Sequence, residues 1–166
     1  NKTVVITVTG TNDTPVVTAG TTASLSEDLH QTGQDTPALA TSGTLAFTDV
    51  DLTDTHHVTT QSLASAVWST GGTVPSATQT AVAAAATFTA SVATDSTGSG
   101  AGTLGWNFSL ADHYADFLAA GETLTLTYNV GIADGSGADN ATSTNKTVLI
   151  TITGTNDTPA ITSRTT

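Results

Sequence analysis

The 166-residue chain contains no cysteine and no methionine, and lysine and arginine together supply only three residues. The absence of cysteine excludes a disulfide framework and thiol chemistry. Aspartate and glutamate together supply 14 residues, so the formal net charge is −11. Such a chain repels nucleic acid and anionic membranes and attracts cations, so we expect no nucleic-acid partner and no membrane insertion.

Long apolar runs and aromatic residues are also scarce. No run of about 18 apolar residues occurs, so the sequence predicts no transmembrane helix, and aromatic residues make up only 5% of the chain. Threonine, alanine, glycine and valine dominate instead, which favours strands and turns over helices. An acidic, threonine-rich chain without cysteine is typical of secreted bacterial surface proteins, so we expect an extracellular location.

One phrase occurs twice. Residues 1–18 read NKTVVITVTGTNDTPVVT and residues 145–162 read NKTVLITITGTNDTPAIT, with four apolar-for-apolar differences among 18 aligned positions. A fixed period of 144 residues indicates a tandem array whose unit has the size of a domain. The expected organisation is the last strand of the preceding repeat at 1–10, a linker at 11–15, one repeat at 16–154, and a linker with the start of the next repeat at 155–166.

The repeated phrase predicts a strand followed by a stiff turn. Val148, Ile150 and Ile152 alternate with other residues, mostly threonine, as in a half-buried strand rich in β-branched side chains. Gly154 ends this strand, and the Asn-Asp-Thr-Pro cluster at 156–159 marks a turn before a second extended run.

Most of the remaining chain also has strand character. The predicted strands are 16–18 and 23–26 (one strand interrupted at Gly20), 43–49, 57–61, 64–69, 87–92, 103–110, 122–132 and 146–153. Residues 71–80 are predicted as a loop, and the alanine run after them is compatible with helix or strand. Short strands with turn signals and no helical crossovers predict an all-β, antiparallel sandwich of the immunoglobulin or cadherin kind, with Phe47, Trp68 and Trp106 in its core.

One helix is predicted at 112–120, before the penultimate strand. Asp112 can cap its first turn, Tyr114, Phe117 and Leu118 share one face, and Gly121 can end it.

The acidic residues are predicted to gather at the two poles of the sandwich, because the loops between antiparallel strands alternate between its ends. One pole is expected to hold Asn12, Asp13, Asp49, Asp51, Asp134 and Asp139. The other is expected to hold Glu27, Asp28, Asn156 and Asp157, beside the 112–122 connection. Clustered carboxylates repel one another without a cation, and calcium takes roughly six to eight oxygen ligands, so each pole is a candidate Ca²⁺ site. A plain solvated acidic surface is the alternative.

Other chemistries fit the sequence poorly. The turn at Asp49 is not an EF-hand, because Asp54 stands where that loop needs glycine and Thr60 where it needs glutamate. His56 and His57 are adjacent on a strand and point to opposite faces, so they are not expected to share a zinc ion. No Gly-x-Ser-x-Gly motif or nucleophilic relay stands out, and we expect no enzymatic activity.

Four segments carry a resemblance to a known family: GTLAFTDVDLTDTH (43–56), DFLAAGETLTLTYNV (116–130), ADGSGA (133–138) and VLITITGTNDTP (148–159). Together they resemble VCBS repeats, the cadherin-like modules of very large bacterial repeats-in-toxin (RTX) adhesins. The resemblance implies a calcium-rigidified extender or spacer of a cell-surface adhesin, acting in cell adhesion and biofilm attachment beside neighbouring repeats of the same chain. It also implies calcium ligands in the Asp49/Asp51 turn, the Asn12/Asp13 linker and Glu27.

Residues 61–100 are longer than the family pattern, and one alternative is a glycan- or ligand-binding β-sandwich module of a secreted protein that uses this region. A further alternative, for the chain as a whole, is an accessory β-domain of a secreted enzyme.

Residues 1–10 are predicted to lie outside the sandwich formed by residues 16–154. The linker 11–15 spans at most ~18 Å, whereas a nine-residue strand is ~30 Å long. The segment therefore cannot reach the last-strand position of its own module. We expect an otherwise monomeric module with an exposed strand that can pair with another chain.

Overall fold

The computed structural model describes residues 1–28 and 35–158, and within them eight strands form two four-stranded sheets. The strands are β1 (Val16–Val17), β2 (Thr21–Ser26), β3 (Leu39–Thr48), β4 (His57–Trp68), β5 (Phe88–Thr94), β6 (Ala101–Leu110), β7 (Thr123–Ala133) and β8 (Lys146–Thr153). One sheet has the order β1-β3-β6-β5 and the other β2-β8-β7-β4. The two sheets enclose one hydrophobic core, which confirms the predicted all-β sandwich.

One ladder departs from the predicted antiparallel pattern. The chain changes sheets between β1 and β2, at the predicted interruption near Gly20, and β2 then runs parallel to β8, from Thr21 beside Val148 to Ser26 beside Thr153. The other ladders are antiparallel. The backbones approach closely at Gly20, where a Cβ would lie 2.6 Å from the Thr147 carbonyl oxygen.

The core follows the predicted alternation. Its largest buried side chains are Trp106, Tyr128, Phe47, Phe108, Leu104, Leu118, Leu124, Leu126, Ile132, Ile150, Ile152 and Val17. Phe88 stacks between Tyr128 and Trp106, with ring centroids 4.3 and 6.0 Å away. The core positions predicted for Phe47 and Trp106 are confirmed, whereas Trp68 is only half-buried.

Strand β4 was predicted as two strands, 57–61 and 64–69, and this is wrong. It is one strand with register shifts between Val58 and Thr60 and between Leu63 and Ser65. Each bulge adds a residue and moves the inward alternation from one set of positions to the other, which breaks the sequence period.

The helix prediction is also wrong in position. The α-helix, α1 (Ser76–Ala83), begins in the segment predicted as a loop and ends in the alanine run that is compatible with helix or strand, and it buries Thr78 and Val82. The segment 112–120 contains only a 3₁₀ turn at Asp112–Tyr114. Its buried residues Asp112, Ala115 and Leu118 recur every third position, and backbone bonds join 115 to 112 (2.7 Å) and 118 to 115 (2.9 Å). That period belongs to 3₁₀ geometry, in which every third side chain is eclipsed.

The sandwich has two poles, defined by the ends of its strands. At the N-terminal pole β3, β5 and β7 end and β4, β6 and β8 begin, whereas at the C-terminal pole β2 and β8 end and β7 begins. Residues 1–15 carry no regular secondary structure and expose Val4, Val5, Ile6 and Val8 by 82–89%. No helix among the described residues is long and apolar enough to cross a membrane. Residues 29–34 and residues 159–166, which include the predicted start of the next repeat, lie outside the described residues.

Candidate functional site

The first linker is fastened to loops at the N-terminal pole. Asn12 donates from Nδ2 to Asp134 Oδ2 (3.0 Å) and Asn140 Oδ1 (3.2 Å), and Asn140 donates in return to the Asn12 carbonyl (2.6 Å). The Asp13 backbone N–H donates to Asp51 Oδ2 (2.7 Å). The linker is therefore tied both to the loop after β3 and to the loop after β7.

Three carboxylates meet beneath this linker. Asp49, Asp54 and Asp134 each have an oxygen within 4.8 Å of the others, and Asp49 and Asp134 are buried. Asp49 Oδ1 also accepts the Asp51 backbone N–H (2.9 Å), which closes the β3–β4 turn on itself. The oxygens of this cluster come from two loops that the sheet topology brings together.

A histidine supplies positive charge to this pole. His56 Nε2 lies 2.9 Å from Asp49 Oδ2 and His56 Nδ1 lies 2.6 Å from Asp95 Oδ1. Burial lowers the pKa of His56, but the hydrogen bonds and charges of the two aspartates outweigh it and raise the pKa. Because both ring nitrogens face carboxylates, the imidazolium form satisfies both contacts, and these three residues form the Asp49–His56–Asp95 ion triad.

The pKa values of the other carboxylates at this pole are shifted in different directions. Burial alone would raise the pKa of Asp95, but hydrogen bonds from His56 and Ser96 outweigh it, and the pKa lies below the usual value. The pKa of Asp134 is lowered in the same way by hydrogen bonds from Ser136 and Asn12. Desolvation and three neighbouring aspartates raise the pKa of Asp54.

The histidine does not form a nucleophilic relay with the neighbouring serine. The Ser96 hydroxyl lies 3.3 Å from Nδ1 of His56, the same nitrogen that faces Asp95. A relay needs the serine and the aspartate on opposite ring nitrogens. The triad therefore serves to hold the β3–β4 and β5–β6 loops together.

The C-terminal pole fastens the second linker in a similar way. Glu27 accepts the Thr155 backbone N–H at Oε2 (2.8 Å), and the Thr155 hydroxyl donates to the Asp28 carbonyl (3.0 Å). The Asp28 backbone N–H donates to Asp112 Oδ1 (3.2 Å), which joins this end of β2 to the 3₁₀ turn. Asp112 therefore binds another loop and does not cap a helix.

Two carboxylate oxygens at this pole are buried without a donor. Glu27 is 3% exposed and Asp112 is 0% exposed, yet Glu27 Oε1 and Asp112 Oδ2 have no hydrogen-bond partner among the described residues. Oxygens of Glu27, Asp116 and Asp157 also lie within 4.8 Å of one another. A buried carboxylate oxygen is costly unless a donor or a cation meets it.

The pKa values of both carboxylates, Glu27 and Asp112, lie above the ordinary ones. Burial raises the pKa of Glu27 to about 7, with a contribution from the nearby aspartates that the Thr155 N–H opposes. Burial also raises the pKa of Asp112, again with a contribution from its acidic neighbours.

Both clusters fit a hard divalent cation. Their side chains offer carboxylate oxygen, the ligand type that Ca²⁺ prefers, whereas zinc favours nitrogen and sulfur. At the C-terminal pole the residues that could hold the ion are Glu27, Asp116 and Asp157, with the buried Asp112 as a neighbouring charge. At the N-terminal pole they are Asp49, Asp54 and Asp134, of which Asp49 already contacts His56.

Most residues of the predicted site set lie where the loop alternation placed them. Asn12, Asp13, Asp49, Asp51 and Asp134 are together at the N-terminal pole, and Glu27, Asp28 and Asp157 are together at the C-terminal pole. Asp139 is exposed, and it is the neighbouring residue, Asn140, that contacts the linker. Asn156 is exposed, and its side-chain amide donates to the Asp157 carbonyl (3.2 Å).

Asp54, His56, Asp95, Asp112 and Asp116 lie at the two poles but are not among the predicted site residues. The loop alternation places Asp95 at the N-terminal pole once β5 is extended to Thr94. The 112–122 connection is predicted at the C-terminal pole, but Asp112 is interpreted there as a helix cap and Asp116 as part of the helix. His56 was considered only as a zinc ligand, since nothing in the sequence shows that aspartates flank it on both sides.

The tryptophans relevant to a glycan site are engaged within the fold. The Trp68 indole N–H donates to Glu122 Oε2 (3.0 Å), and the ring meets Phe117 edge-on at 5.1 Å. A Cβ at Gly72 would lie 2.9 Å from the Trp68 ring, so backbone covers part of it. Trp106 is in the core.

No protein-family model matches the chain, and no curated protein matches it. Two solved structures are similar to it. The zebrafish RET cadherin-like domains 1 to 4 are 11% identical with a TM-score of 0.38 over 87% of this chain, which spans 27% of that structure. The N-terminal domain of PorA is 11% identical with a TM-score of 0.29, over 83% of this chain and 90% of that one. Both TM-scores are too low to support an inference about function.

Proposed function

We propose that this chain is a non-enzymatic extender repeat of a bacterial cell-surface adhesin, stiffened by calcium at the junctions between repeats. Its role is mechanical: it holds a distal binding domain away from the cell. The two poles are the contact points with the neighbouring repeats, and the acidic clusters at those poles are the calcium sites.

The observation that carries this proposal is that one linker sequence appears twice with complementary contacts. The copy at 11–15 binds the loops of the sandwich that follows it, through Asn12 and Asp13. The copy at 155–158 binds the sandwich that precedes it, through Thr155, with Asp157 near Glu27. In a continuous array each linker would make both sets of contacts, so it would be attached to both neighbouring sandwiches.

Calcium would complete these contacts at the C-terminal pole. Glu27 and Asp112 each present one buried oxygen that has no donor within residues 1–28 and 35–158, and Asp116 and Asp157 lie beside Glu27. A bound divalent cation would neutralise the carboxylates of two loops and the linker together. Bending the linker away would then require breaking ligand bonds as well as the Thr155 hydrogen bonds.

Calcium titration of the chain by isothermal calorimetry tests the site. We expect binding with Kd of about 10⁻⁴ to 10⁻³ M, the range of extracellular modules. The double substitution Glu27→Gln with Asp112→Asn should abolish the C-terminal site, while glutamine can still accept the Thr155 N–H. The matched control is Asp139→Asn, which removes an exposed carboxylate and should leave the titration unchanged. Absence of calcium binding in the unaltered chain would refute the proposal.

Calcium binding should also depend on pH, because the proton on Glu27 competes with the ion. With the Glu27 pKa at about 7, the apparent affinity of this site should be ~10-fold higher at pH 8 than at pH 6. In chelator, the stability of the fold should change with pH in the opposite direction to the calcium affinity and fall as the pH rises. The proton contributes stability below the ordinary pKa of 4.5, and this contribution is lost as the pH rises through about 7. Equal affinities at the two pH values would contradict the assignment of Glu27 as a ligand.

A further inference from the structure

The exposed N-terminal segment, residues 1–10, repeats the sequence of β8, including the side chains with which β8 faces the core. Val148, Ile150 and Ile152 are fully buried in β8, and the matching residues are Val4, Ile6 and Val8. Val4 and Ile6 are identical to their counterparts, and Val8 is one methylene smaller than Ile152. Side chains of the same shape class would therefore fill the same part of the core.

The residues that flank β8 are duplicated as well. Asn145 packs against Gly131, where a Cβ would lie 2.3 Å from its Oδ1, and Asn1 is the matching residue. Gly154 packs against Leu118, where a Cβ would lie 2.5 Å from the Leu118 Cβ, and Gly10 matches it. The N-terminal segment thus retains the close-packed ends of the strand as well as its apolar face.

The segment cannot use this position in its own chain. β8 ends at the C-terminal pole, whereas β1 begins at the N-terminal pole beside Thr48. Five linker residues reach at most ~18 Å, and eight residues of strand already span about 26 Å. Residues 1–10 can therefore occupy a β8 position only in another sandwich, either that of a preceding repeat or that of a second copy of the chain.

We propose that residues 1–10 form an exchangeable strand that takes the β8 position, between β2 and β7, in a second copy of this chain. The donor's linker would then leave the acceptor at its C-terminal pole, with Thr11 where Thr155 stands. From there the donor's own sandwich begins, as at a covalent junction between repeats. Two separate chains would thereby be joined end to end through backbone hydrogen bonds and the apolar face of one strand.

Paired substitutions at Ile150 and Ile6 test the exchange, in chelator so that calcium plays no part. Ile150→Asp places a charge in the core and weakens the chain's own β8, so we expect a folded dimer or larger species by light scattering. Ile6→Asp should be a folded monomer. The double variant should lose its sheet circular dichroism, because neither strand can fill the position. A folded monomeric Ile150→Asp chain, or one as unfolded as the double variant at every concentration, would overturn the proposal.

A disulfide trap in the otherwise unaltered chain provides a test that does not weaken β8. Thr127 lies opposite Leu149 in the β7–β8 ladder, and Val5 is the residue that matches Leu149. The chain has no cysteine, so Val5→Cys with Thr127→Cys should give covalent dimers after refolding at high concentration. Val4→Cys with Thr127→Cys is one residue out of register and should give far fewer. Equal yields from the two pairs would refute the exchange.

Discussion

Replacement of His56 by phenylalanine is expected to lower the free energy of unfolding by about 3–5 kcal/mol, the usual cost of removing one partner of a buried ion pair. Both His56 and Asp49 have fully buried side chains, so Asp49 would lose its partner where water cannot replace it. For a chain of this size the melting temperature should fall by about 10 °C. Denaturant unfolding and thermal melts, followed by circular dichroism, measure both quantities.

His57→Phe is the matched control, because the same change is made at an exposed position on the opposite face of β4. The effect of His56→Phe should also depend on pH. Since the pKa of His56 is raised in the fold, its contribution is complete below about 6.5 and is lost as the pH rises through the folded value. The difference in the free energy of unfolding between the unaltered chain and the His56→Phe variant should therefore become smaller at alkaline pH. An equal loss from His56→Phe and His57→Phe would show that the ion triad contributes no stability.

A tandem chain of two repeats is expected to straighten and stabilise when calcium is added. Joining residues 1–154 directly to residues 11–166 keeps the natural Gly-Thr-Asn-Asp junction. At ten times Kd each site adds ~1.4 kcal/mol to the stability, which corresponds to about 3–6 °C in melting temperature. Small-angle scattering should show a larger radius of gyration and maximum dimension in calcium than in chelator, because the linker would be held by both sandwiches.

The control for the tandem chain is Glu27→Gln with Asp112→Asn in the first repeat only. This removes the junction's C-terminal-pole site and leaves the second repeat intact. The variant should keep its fold but respond less to calcium in shape. Identical scattering curves and melting temperatures with calcium and with chelator would exclude calcium as the stiffening agent.

The sandwich was predictable from sequence because its strongest strands keep one period along most of their length. β8 alternates along its length and β7 does so as far as Val130, and their inward residues are the centre of the core. The grouping of Asn12 with Asp134, far apart in sequence, followed from loop alternation alone. Regular backbone pairing converts local patterns into global positions wherever the strands are unbroken.

The failures occurred where local patterns had more than one solution. Bulges in β4 interrupted its period, and the residues near Val82 have neither a strong amphipathic face nor a side-chain cap, so nothing distinguished helix from loop. The ion triad depends on Asp95 reaching His56 from another hairpin, which sequence spacing does not encode. Buried oxygens without donors, as on Glu27, depend on the three-dimensional surroundings and have no signature in the sequence.

The parallel pairing of β2 with β8 determines how a pulled repeat would carry load. Tension along the array would draw the start of the sandwich away through β1 and β2 and the end away through β8. These neighbouring strands would be pulled in opposite directions along their own axes, over a ladder that runs from Thr21–Val148 to Ser26–Thr153. The backbone bonds of that ladder would be sheared together instead of being unzipped one after another. Resistance to force would therefore reside in this ladder, while the loops at either end govern only the joint.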